Sequence, residues 1–227
     1  MTVELVVGST WDGVPLPAAE RAVVQLDARP DALVVRGLAP WSGDPPPPTP
    51  PGPTPGLWDH EVIELFLVGD DGRYLEVELG PHGHHLVLQL AGVRRPAASA
   101  LPLALRVARA GAYWTVEAHL PRWWLPRSVV RANAFRIDGP PGARAYRAAT
   151  PLPGDRPDFH QPARFAPVRL PTAPAAPREA WERLIGALGP DSPADGLLPP
   201  ADDAWRAVGR PPPTARAFAR AMRPATV

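Results

Sequence analysis

Cysteine and lysine are both absent from this chain of 227 residues. Without cysteine there is no disulfide framework, no thiolate nucleophile and no metal site built on cysteine ligands. Without lysine, all the positive charge is carried by arginine, and the formal net charge is only +1. So small a net charge creates no field that would gather nucleic acid or an anionic membrane. We therefore expect neither of these as a partner.

Long apolar runs are also missing. No segment approaches the roughly 18 apolar residues that a membrane-spanning helix requires. The stretch Met1–Gly8 lacks the basic region and the long apolar region of a secretory signal peptide. Together these features predict a soluble protein of the cytoplasm.

Proline, in contrast, is abundant at 35 residues, whereas about 5% of a typical sequence is proline. The prolines lie outside the periodic segments and are densest in residues 43–56. Because proline cannot donate the hydrogen bonds of a β-ladder, this stretch is predicted to be an extended loop. Such a run either binds an aromatic-lined groove of a partner or forms a stiff surface loop, and the sequence favours the surface loop.

Short apolar runs separated by turn residues dominate positions 3–140. The clearest hairpin joins Val62–Val68 to Arg73–Leu79 through Gly69–Gly72. Further predicted strands are Val3–Val7, Ala22–Leu26, Ala32–Arg36, Leu86–Leu90, Leu103–Ala108, Tyr113–Leu120 and Ala132–Asp138. No long helices alternate with these runs. We therefore predict an all-β fold, an antiparallel β-sandwich of immunoglobulin or jelly-roll type.

The end of the chain has a different pattern. In Arg178–Leu188 the large apolar residues fall at helical spacing along one stripe, and Gly189-Pro190 would end that helix. We predict a β-sandwich domain over residues 1–171. Residues 172–227 are predicted to be a proline-, alanine- and arginine-rich extension with short helices, attached loosely to the sandwich.

Alternation along the predicted strands assigns the carboxyl groups to faces of a sheet. Glu64 shares a face with Phe66, and its neighbours on both faces are mostly apolar. A carboxylate in that position must be hydrogen-bonded, paired or neutralised, since burial of a lone charge is costly. On the following strand Tyr74, Glu76 and Glu78 share one face. If that face adjoins Glu64, the carboxyl groups line one sheet.

Several segments, in order along the chain, resemble family 9-like carbohydrate-binding modules. In residues 57–66 Trp58 precedes an acidic strand that ends in Glu64-Leu65-Phe66, and in residues 74–83 a Tyr-x-Glu strand is followed by a Pro-x-Gly turn. Further matches follow at residues 113–121, 133–137 and 158–165.

The chain also resembles a conserved uncharacterised protein family of that DOMON-like β-sandwich superfamily. The shared features are the opening Thr10–Gly13 and the loop at Asp44-Pro45-Pro46. The resemblance covers roughly residues 1–170 and implies a family 9-like β-sandwich.

For function, the resemblance implies a non-catalytic module that binds a carbohydrate or a similar polar small molecule, without a cofactor. In sugar-binding members an aromatic ring stacks on the sugar, while acid and amide groups bind its hydroxyls. Carried over to this sequence, the resemblance implies a ligand site formed by Trp58, Glu64, Asn133 and Arg136, with Glu76 and Glu78 beside Glu64.

Each of these residues also has a purely structural interpretation. Trp58 follows a Gly-Pro loop and either stacks on a ligand or pins that loop to the core. Glu76 and Glu78 are otherwise ordinary solvated residues of an antiparallel sheet. Asn133 either binds a ligand or satisfies main-chain groups at a strand entry. Arg136, whose strand neighbours lie on the opposite face, is a candidate partner for the carboxylates.

Three other functions stay open. A glycoside hydrolase would use Glu64 with Glu76 or Glu78, with the carboxyl groups about 5–5.5 Å apart for retention or about 6.5–9.5 Å apart for inversion. A haem domain would need two histidine ligands, since methionine occurs only at positions 1 and 222. A scaffold protein would use the proline-rich loop or the arginine-rich tail. The sequence does not fix the oligomeric state.

The histidines at positions 82, 84 and 85 invite comparison with zinc sites. No cysteine and no HExxH pattern accompanies them, so the sequence favours loop contacts of His82 and His85 to main-chain carbonyls over a metal site. His160 is interpreted as a structural turn contact. The pair Trp123-Trp124, which lies between prolines, is predicted to pack in the core at a corner of the sandwich.

Overall fold

The computed structural model describes residues 2–170, apart from the side chain of Ala110. The extension predicted for residues 172–227, including its helices, lies outside the described residues. The helices within residues 2–170 are short 3-10 turns, at Ala18–Glu20, Leu57–Asp59, Arg122–Trp124 and Pro162–Arg164. No helix in this part of the chain has the length and apolar character needed to span a bilayer.

The strands in this range are β1 (Thr2–Val7), β2 (Ser9–Thr10), β3 (Ala22–Ala28), β4 (Ala32–Pro40), β5 (Val62–Gly69), β6 (Tyr74–Leu79), β7 (His85–Leu90), β8 (Pro96–Ala98), β9 (Ala104–Ala110), β10 (Tyr113–Pro121), β11 (Val129–Asp138), β12 (Ala145–Ala148) and β13 (Ala166–Pro167). They form two antiparallel sheets. One has five strands in the order β1-β3-β4-β10-β9. The other has eight, in the order β2-β12-β11-β5-β6-β7-β8, with β13 also paired to β11. The predicted antiparallel β-sandwich is confirmed.

The predicted strands all occur, with ends that shift by a few residues. The hairpin of β5 and β6 turns at Gly69–Gly72, where Gly72 has a φ of 78°, a left-handed conformation that favours glycine. The strands that sequence alternation did not predict are β2, β8, β12 and β13. Each has two to four residues, too few for a period of two to be visible.

The main core fills the space between the two sheets. From β5 it receives Ile63, Leu65 and Leu67, and from β6 Leu75, Val77 and Leu79. Trp123 and Trp124 are buried in the same core, with ring centroids 5.7 Å apart, as predicted for that pair. Between the sheets the packing is so close at Gly37 that a Cβ there would lie 2.9 Å from side-chain atoms of both Ile63 and Val116.

A buried ionic cluster closes one end of the sandwich, and it is centred on Glu61. The Glu61 carboxylate accepts hydrogen bonds from the indole Nε1 of Trp114 at 2.9 Å and from the main-chain nitrogen of Ser42 at 3.2 Å. Arg136 lies 3.7 Å from this carboxylate and 2.8 Å from that of Asp138. The cluster therefore ties β4, β10 and β11 together where the core ends.

Histidine side chains hold the proline-rich loop on the surface. The Nε2 of His82 donates to the main-chain oxygen of Asp44 at 3.2 Å, and the Nε2 of His84 donates to that of Thr49 at 2.7 Å. Pro53 forms an isolated bridge with His85. A contact to a main-chain carbonyl was expected for His82 and His85; it is present at His82 and also at His84, whereas the Nε2 of His85 accepts a hydrogen bond from the main-chain nitrogen of Leu103 at 3.0 Å.

The Glu61 cluster predicts a large difference between two charge-removing substitutions. Glu61→Ala should lower the free energy of unfolding by about 3–5 kcal/mol, because Trp114 and Arg136 lose a buried partner. Glu117→Ala is the control. It removes a partner of Arg36 at 2.7 Å on a surface where both side chains are more than one third exposed, and it should cost under about 1 kcal/mol. Urea denaturation followed by tryptophan fluorescence measures both, and equal losses would contradict the role given to Glu61.

Candidate functional site

The outer face of the eight-stranded sheet carries a row of carboxyl groups that is unusual for a sheet surface. Glu64 on β5 lies directly opposite Glu78 on β6, and Phe66 lies opposite Glu76. Since alternate residues share a face, the three glutamates project on the same side, away from the core between the sheets. The sequence prediction that Glu76 and Glu78 adjoin Glu64 agrees with this register.

A second apolar cluster covers part of this outer face. The chain that follows β12 folds back over β5 and β11, and Phe159 stacks on Phe135 with ring centroids 3.9 Å apart. Phe165 contacts Phe66 edge-on at 5.6 Å. Asn133 fixes the start of this chain, because its side chain donates to the main-chain oxygen of Thr150 at 2.8 Å and accepts from its nitrogen at 2.9 Å. The sheet is therefore covered on one half of the face and open on the other.

A cavity of about 640 Å³ occupies the open half. Glu64 and Glu76 line it together with the apolar side chains of Leu88, Leu90 and Ile137. Aromatic walls are supplied by Trp58, Tyr146 and Phe159, and polar groups by Arg94, Asp158 and His160. Trp58 is 47% exposed, whereas Trp114 and Trp124 are buried. An aromatic face beside buried polar groups in a concave site is the usual composition of a small-molecule site.

Burial opposes the ionisation of the carboxyl groups on this face. It raises the pKa of Glu64 well above its ordinary value, and the charge of Glu76 adds to the rise. Burial raises the pKa of Glu76 to about 8, with Arg94 opposing the change. The pKa of Glu78 is also raised well above its ordinary range, first by burial and then by the charges of Glu64, Glu76 and Asp59.

Hydrogen bonding does little to offset this burial. Three carboxyl oxygens have no hydrogen bond of standard geometry with any of the described residues: both oxygens of Glu78 and the Oε2 of Glu76. The main chain of Trp58 lies close enough to Glu78 to oppose part of its pKa rise. Polar atoms left without a partner in a protein interior are rare, and each calls for a physical explanation.

A polar network of Arg94, Asp158 and His160 borders the cavity. Asp158 accepts from the Arg94 guanidinium at 2.7 Å and from the main-chain nitrogen of His160 at 2.9 Å. Although burial alone would raise it, these hydrogen bonds lower the pKa of Asp158. Arg94 has a φ of 53°, a left-handed conformation that is strained for a residue with a side chain.

The protonation state of His160 follows from its contacts. Burial, with a contribution from the charge of Arg94, lowers its pKa to about 4, so the ring is neutral near pH 7. The Tyr74 hydroxyl accepts from the main-chain nitrogen of Arg94 at 3.2 Å and lies 2.8 Å from the Nδ1 of His160. We assign the hydroxyl as donor to Nδ1, which gives it one accepted and one donated hydrogen bond and leaves the ring proton on Nε2. Nε2 lies 3.8 Å from the Oε2 of Glu76, too far for a direct hydrogen bond.

The predicted site residues separate into two groups. Trp58, Glu64 and Glu76 line the cavity, and Glu78 is on the same face behind them. Asn133 is fully buried, and its side chain bonds to the main chain of Thr150 and Ala134, which is the structural role that the sequence left open.

Arg136 requires a correction, because it is not a partner of Glu64. It pairs with Ile63 in the register of β11 and β5 and projects toward the inner side of the sheet. There it donates to the main-chain oxygen of Pro40 at 2.9 Å and belongs to the Glu61 cluster. Alternation correctly placed Arg136 on the face of β11 opposite to Phe135 and Ile137. Those two residues are on the outer face of the sheet, so Arg136 is on the inner face, away from Glu64.

Four polar residues of the site were missed or assigned another role by sequence reasoning: Tyr74, Arg94, Asp158 and His160. The segment Asp158-Phe159-His160 was noticed as a motif, but only the folding of this segment across β5 brings it to Glu76. Arg94 has no sequence signal of its own. Within residues 2–170, no group of three or more histidine and acidic side chains has the arrangement needed to hold a metal ion.

A second cavity, of about 730 Å³, lies on the outer face of the five-stranded sheet. Its polar side chains pair with each other: Arg36 binds Glu117 at 2.7 Å, and Gln25 donates to Glu4 at 3.0 Å. These are the contacts of an ordinary solvated sheet surface. We therefore place the candidate site on the eight-stranded sheet.

No model of a known protein family matches the sequence. Three curated relatives are similar over most of their length. UPF0462 protein C4orf33 of Homo sapiens is 40% identical over 160 residues, which is 66% of this chain and 80% of the relative. Its homologue in Mus musculus is 40% identical over 172 residues, 72% and 89% of the two chains. The homologue in Danio rerio is 37% identical over 161 residues, 67% and 81%.

Solved structures with a similar fold are much more distant in sequence. A Bacteroides uniformis protein, provisionally described as carbohydrate-binding, has a TM-score of 0.56 and 13% identity, covering 74% of this chain and 85% of its own. A family 9 carbohydrate-binding module of Caldicellulosiruptor kristjanssonii in complex with glucose has a TM-score of 0.44 and 15% identity, covering 67% and 78%. The first of these likenesses shows the shared β-sandwich fold.

The neutral carboxyl groups predict that stability falls as the pH rises above neutrality. The folded protein holds the proton of Glu76, with a pKa of about 8, that the unfolded chain, with ordinary carboxyl pKa values near 4.5, has released, and burial raises the pKa values of Glu64 and Glu78 in the same direction. Between pH 6.5 and 8 the free energy of unfolding should therefore decrease by about 1.4 kcal/mol per pH unit for each proton retained. Below pH 6.5 the lowered pKa of His160 acts in the opposite direction, so the upper window isolates the carboxyl groups.

Urea denaturation at several pH values in this window measures the slope. Glu76→Gln, which keeps the shape and removes the titration, should make it shallower, while Glu4→Gln on the exposed side of β1 should leave it unchanged. A flat or rising stability over this window would show that the carboxyl groups are ionised in the folded protein.

Proposed function

This chain belongs to the UPF0462 family of proteins, and we propose that, as a member, it is a non-catalytic module that binds a carbohydrate or similar polar small molecule in the cavity above β5 and β6. One observation carries the proposal. Trp58, which is nearly half exposed, lines the same cavity as Glu64 and Glu76, whose side chains are buried. No packing requirement of the sandwich accounts for both features together.

The cavity offers what a sugar ring needs. A pyranose has an apolar face of C–H groups that stacks on an aromatic ring, and hydroxyls at its edge that need hydrogen-bond partners. Trp58, Tyr146 and Phe159 provide aromatic surface, while Leu88 and Leu90 provide an apolar floor. A volume of about 640 Å³ lies within the usual range for small-molecule sites.

The polar groups are placed to bind a hydroxyl in a definite orientation. The Nε2 of His160, which we assign as protonated, lies 3.8 Å from the Oε2 of Glu76, and this oxygen has no hydrogen bond with the described residues. A ligand hydroxyl that reached this pair would accept a hydrogen bond from Nε2 and bond to the carboxyl group of Glu76. Tyr74 holds the ring of His160 in the orientation that this requires.

The fold likeness agrees with the proposal without deciding the ligand. The Bacteroides uniformis protein is described as carbohydrate-binding, and the two sandwiches share their fold at 13% identity. At such identity the likeness concerns the fold alone, because one fold hosts many functions. The ligand class is therefore proposed from this cavity's own residues.

A glycoside hydrolase would need a different division of charge. Hydrolysis by paired carboxyl groups uses one group that is ionised and one that is protonated near pH 7. Here burial raises the pKa of Glu64, Glu76 and Glu78 together. Asp158, whose pKa is lowered, already binds the Arg94 guanidinium. Binding without catalysis is thus the function that we propose.

Removal of the Trp58 ring should weaken the binding of neutral sugars. Isothermal titration calorimetry against a panel of mono- and oligosaccharides identifies the sugar that binds the full-length protein. For that sugar, Trp58→Ala should raise Kd by roughly tenfold, about 1.4 kcal/mol, because the stacking surface is lost.

Trp41→Phe is the matched control, because it replaces an indole that lies outside the cavity, beside His82 and Arg109. It should leave the Kd within about twofold of the parent value. If no sugar of a broad panel binds, the proposed ligand class is wrong. If a sugar binds equally well without Trp58, the class survives and the site is wrong.

A further inference from the structure

The three glutamates of the cavity face place like groups against each other. Glu64 and Glu78 are direct cross-strand neighbours, and Glu76 is diagonal to Glu64 on the same face. Side chains of like charge in such positions destabilise a sheet when they are ionised. Each of the three is at most 4% exposed, so water does not screen them. Burial raises the pKa of all three groups, so that protonation relieves the conflict in the free protein.

Cationic side chains do not resolve this conflict within the described residues. Arg94, whose charge opposes the pKa rise of Glu76, is bound to Asp158 at 2.7 Å. Arg136 lies on the other side of the sheet. No arginine charge in this part of the chain opposes the pKa rise of Glu64 or Glu78, and the lowered pKa of His160, about 4, leaves its ring neutral near pH 7.

One of these carboxyl groups belongs to a residue that lines the cavity and has a buried oxygen without a hydrogen-bond partner among the described residues. Glu76 is only 4% exposed and lines the cavity. Its Oε2 has no hydrogen bond with the described residues. Glu64 lines the same space. A group that entered the cavity would therefore meet two carboxyl groups at once, with aromatic rings around it.

The surroundings favour an organic cation over a metal ion. No set of three or more acidic and histidine side chains between residues 2 and 170 has metal-binding geometry. Hard metal cations also require six or more oxygen ligands, which an apolar floor of Leu88 and Leu90 does not supply. An ammonium group needs fewer ligands and is attracted to the faces of aromatic rings such as Trp58 and Tyr146.

We infer that the ligand carries an ammonium group, and that an amino sugar, which joins this group to a ring with hydroxyls, is the class that the cavity fits. The inference rests on the proposed sugar-binding function and narrows it. The ammonium group lies against Glu64 and Glu76, the ring stacks on Trp58, and a hydroxyl reaches His160. A neutral sugar of the same shape leaves the carboxyl conflict unresolved and binds more weakly.

Binding of a cation in this position releases protons. The ammonium charge favours the ionised form of a neighbouring carboxyl group, which gives up the proton that it holds in the free protein. The groups that face Glu76 are Tyr74 and Glu78 on its own strand, Glu64 on β5, and Arg94, Asp158 and His160 at the edge of the cavity. Of these, Glu76, whose pKa burial raises to about 8, holds a proton that it can release near pH 7, and the pKa values of Glu64 and Glu78 are raised in the same direction.

Calorimetry on the full-length protein at pH 7 compares glucose, glucosamine and N-acetylglucosamine, which differ at one ring substituent. The substituent is a hydroxyl in glucose, an ammonium group in glucosamine and a neutral amide in N-acetylglucosamine. Glucosamine should bind about tenfold more tightly than the other two, since one pKa unit of carboxyl stabilisation corresponds to tenfold in Kd. Titration in buffers of different ionisation enthalpy should show proton release with glucosamine and none with glucose.

Two variants test the assignment of the carboxyl group. Glu76→Gln keeps the shape of the side chain but cannot ionise, so the preference for glucosamine and the proton release should both decrease. Glu4→Gln, on the other sheet, should retain both. The proton release of the parent protein is independent of how well Glu76→Gln folds.

The outcomes separate the inference from the function on which it rests. If glucose binds as tightly as glucosamine, or if glucosamine binds without proton release, the inference is overturned and sugar binding stands. If none of the three sugars binds, and no other sugar of the wider panel does, both are overturned. A preference for glucosamine that survives in Glu76→Gln with proton release unchanged would overturn the site.

Discussion

The removal of three carboxyl groups from water, on a face where they oppose each other, is the constraint on which the site depends. Glu64 and Glu78 are paired across β5 and β6, and Glu76 is their neighbour on the same face. Burial raises their pKa values, so that the folded protein holds protons that an ordinary carboxyl group would release. Folding tolerates this arrangement because the sandwich has its stabilising core elsewhere, between the sheets. The carboxyl face is free to serve a ligand.

The covered half of the same face makes the cavity possible. The stacked rings of Phe135 and Phe159 hold the chain after β12 against the sheet, and Asn133 anchors its start. That chain brings Asp158 and His160 to the edge of the carboxyl row. Side chains predicted to bind a ligand and side chains that only position the backbone thus lie next to each other on one surface. At the other side of the sheet, Glu61 and Arg136 close the core.

Sequence alternation predicted the fold and the shared face of the carboxyl groups, because the tight Gly69–Gly72 turn sets the register of β5 against β6. It could not assign the inner side of β11, since both faces of that strand carry apolar residues, and Arg136 was therefore placed beside the wrong partners. The contact of His160 with Tyr74 joins residues 86 positions apart and depends on the path of a loop, which no local pattern encodes. The predicted tail lies outside the described residues, and the cytoplasmic location stays a prediction.

The position of a bound sugar in a crystal structure of the full-length protein tests the central claim most directly. The account predicts the sugar ring in the cavity above β5 and β6, against the Trp58 indole and within hydrogen-bonding distance of Glu64 or Glu76. A sugar bound instead in the groove of the five-stranded sheet, beside Arg36 and Glu117, would contradict it.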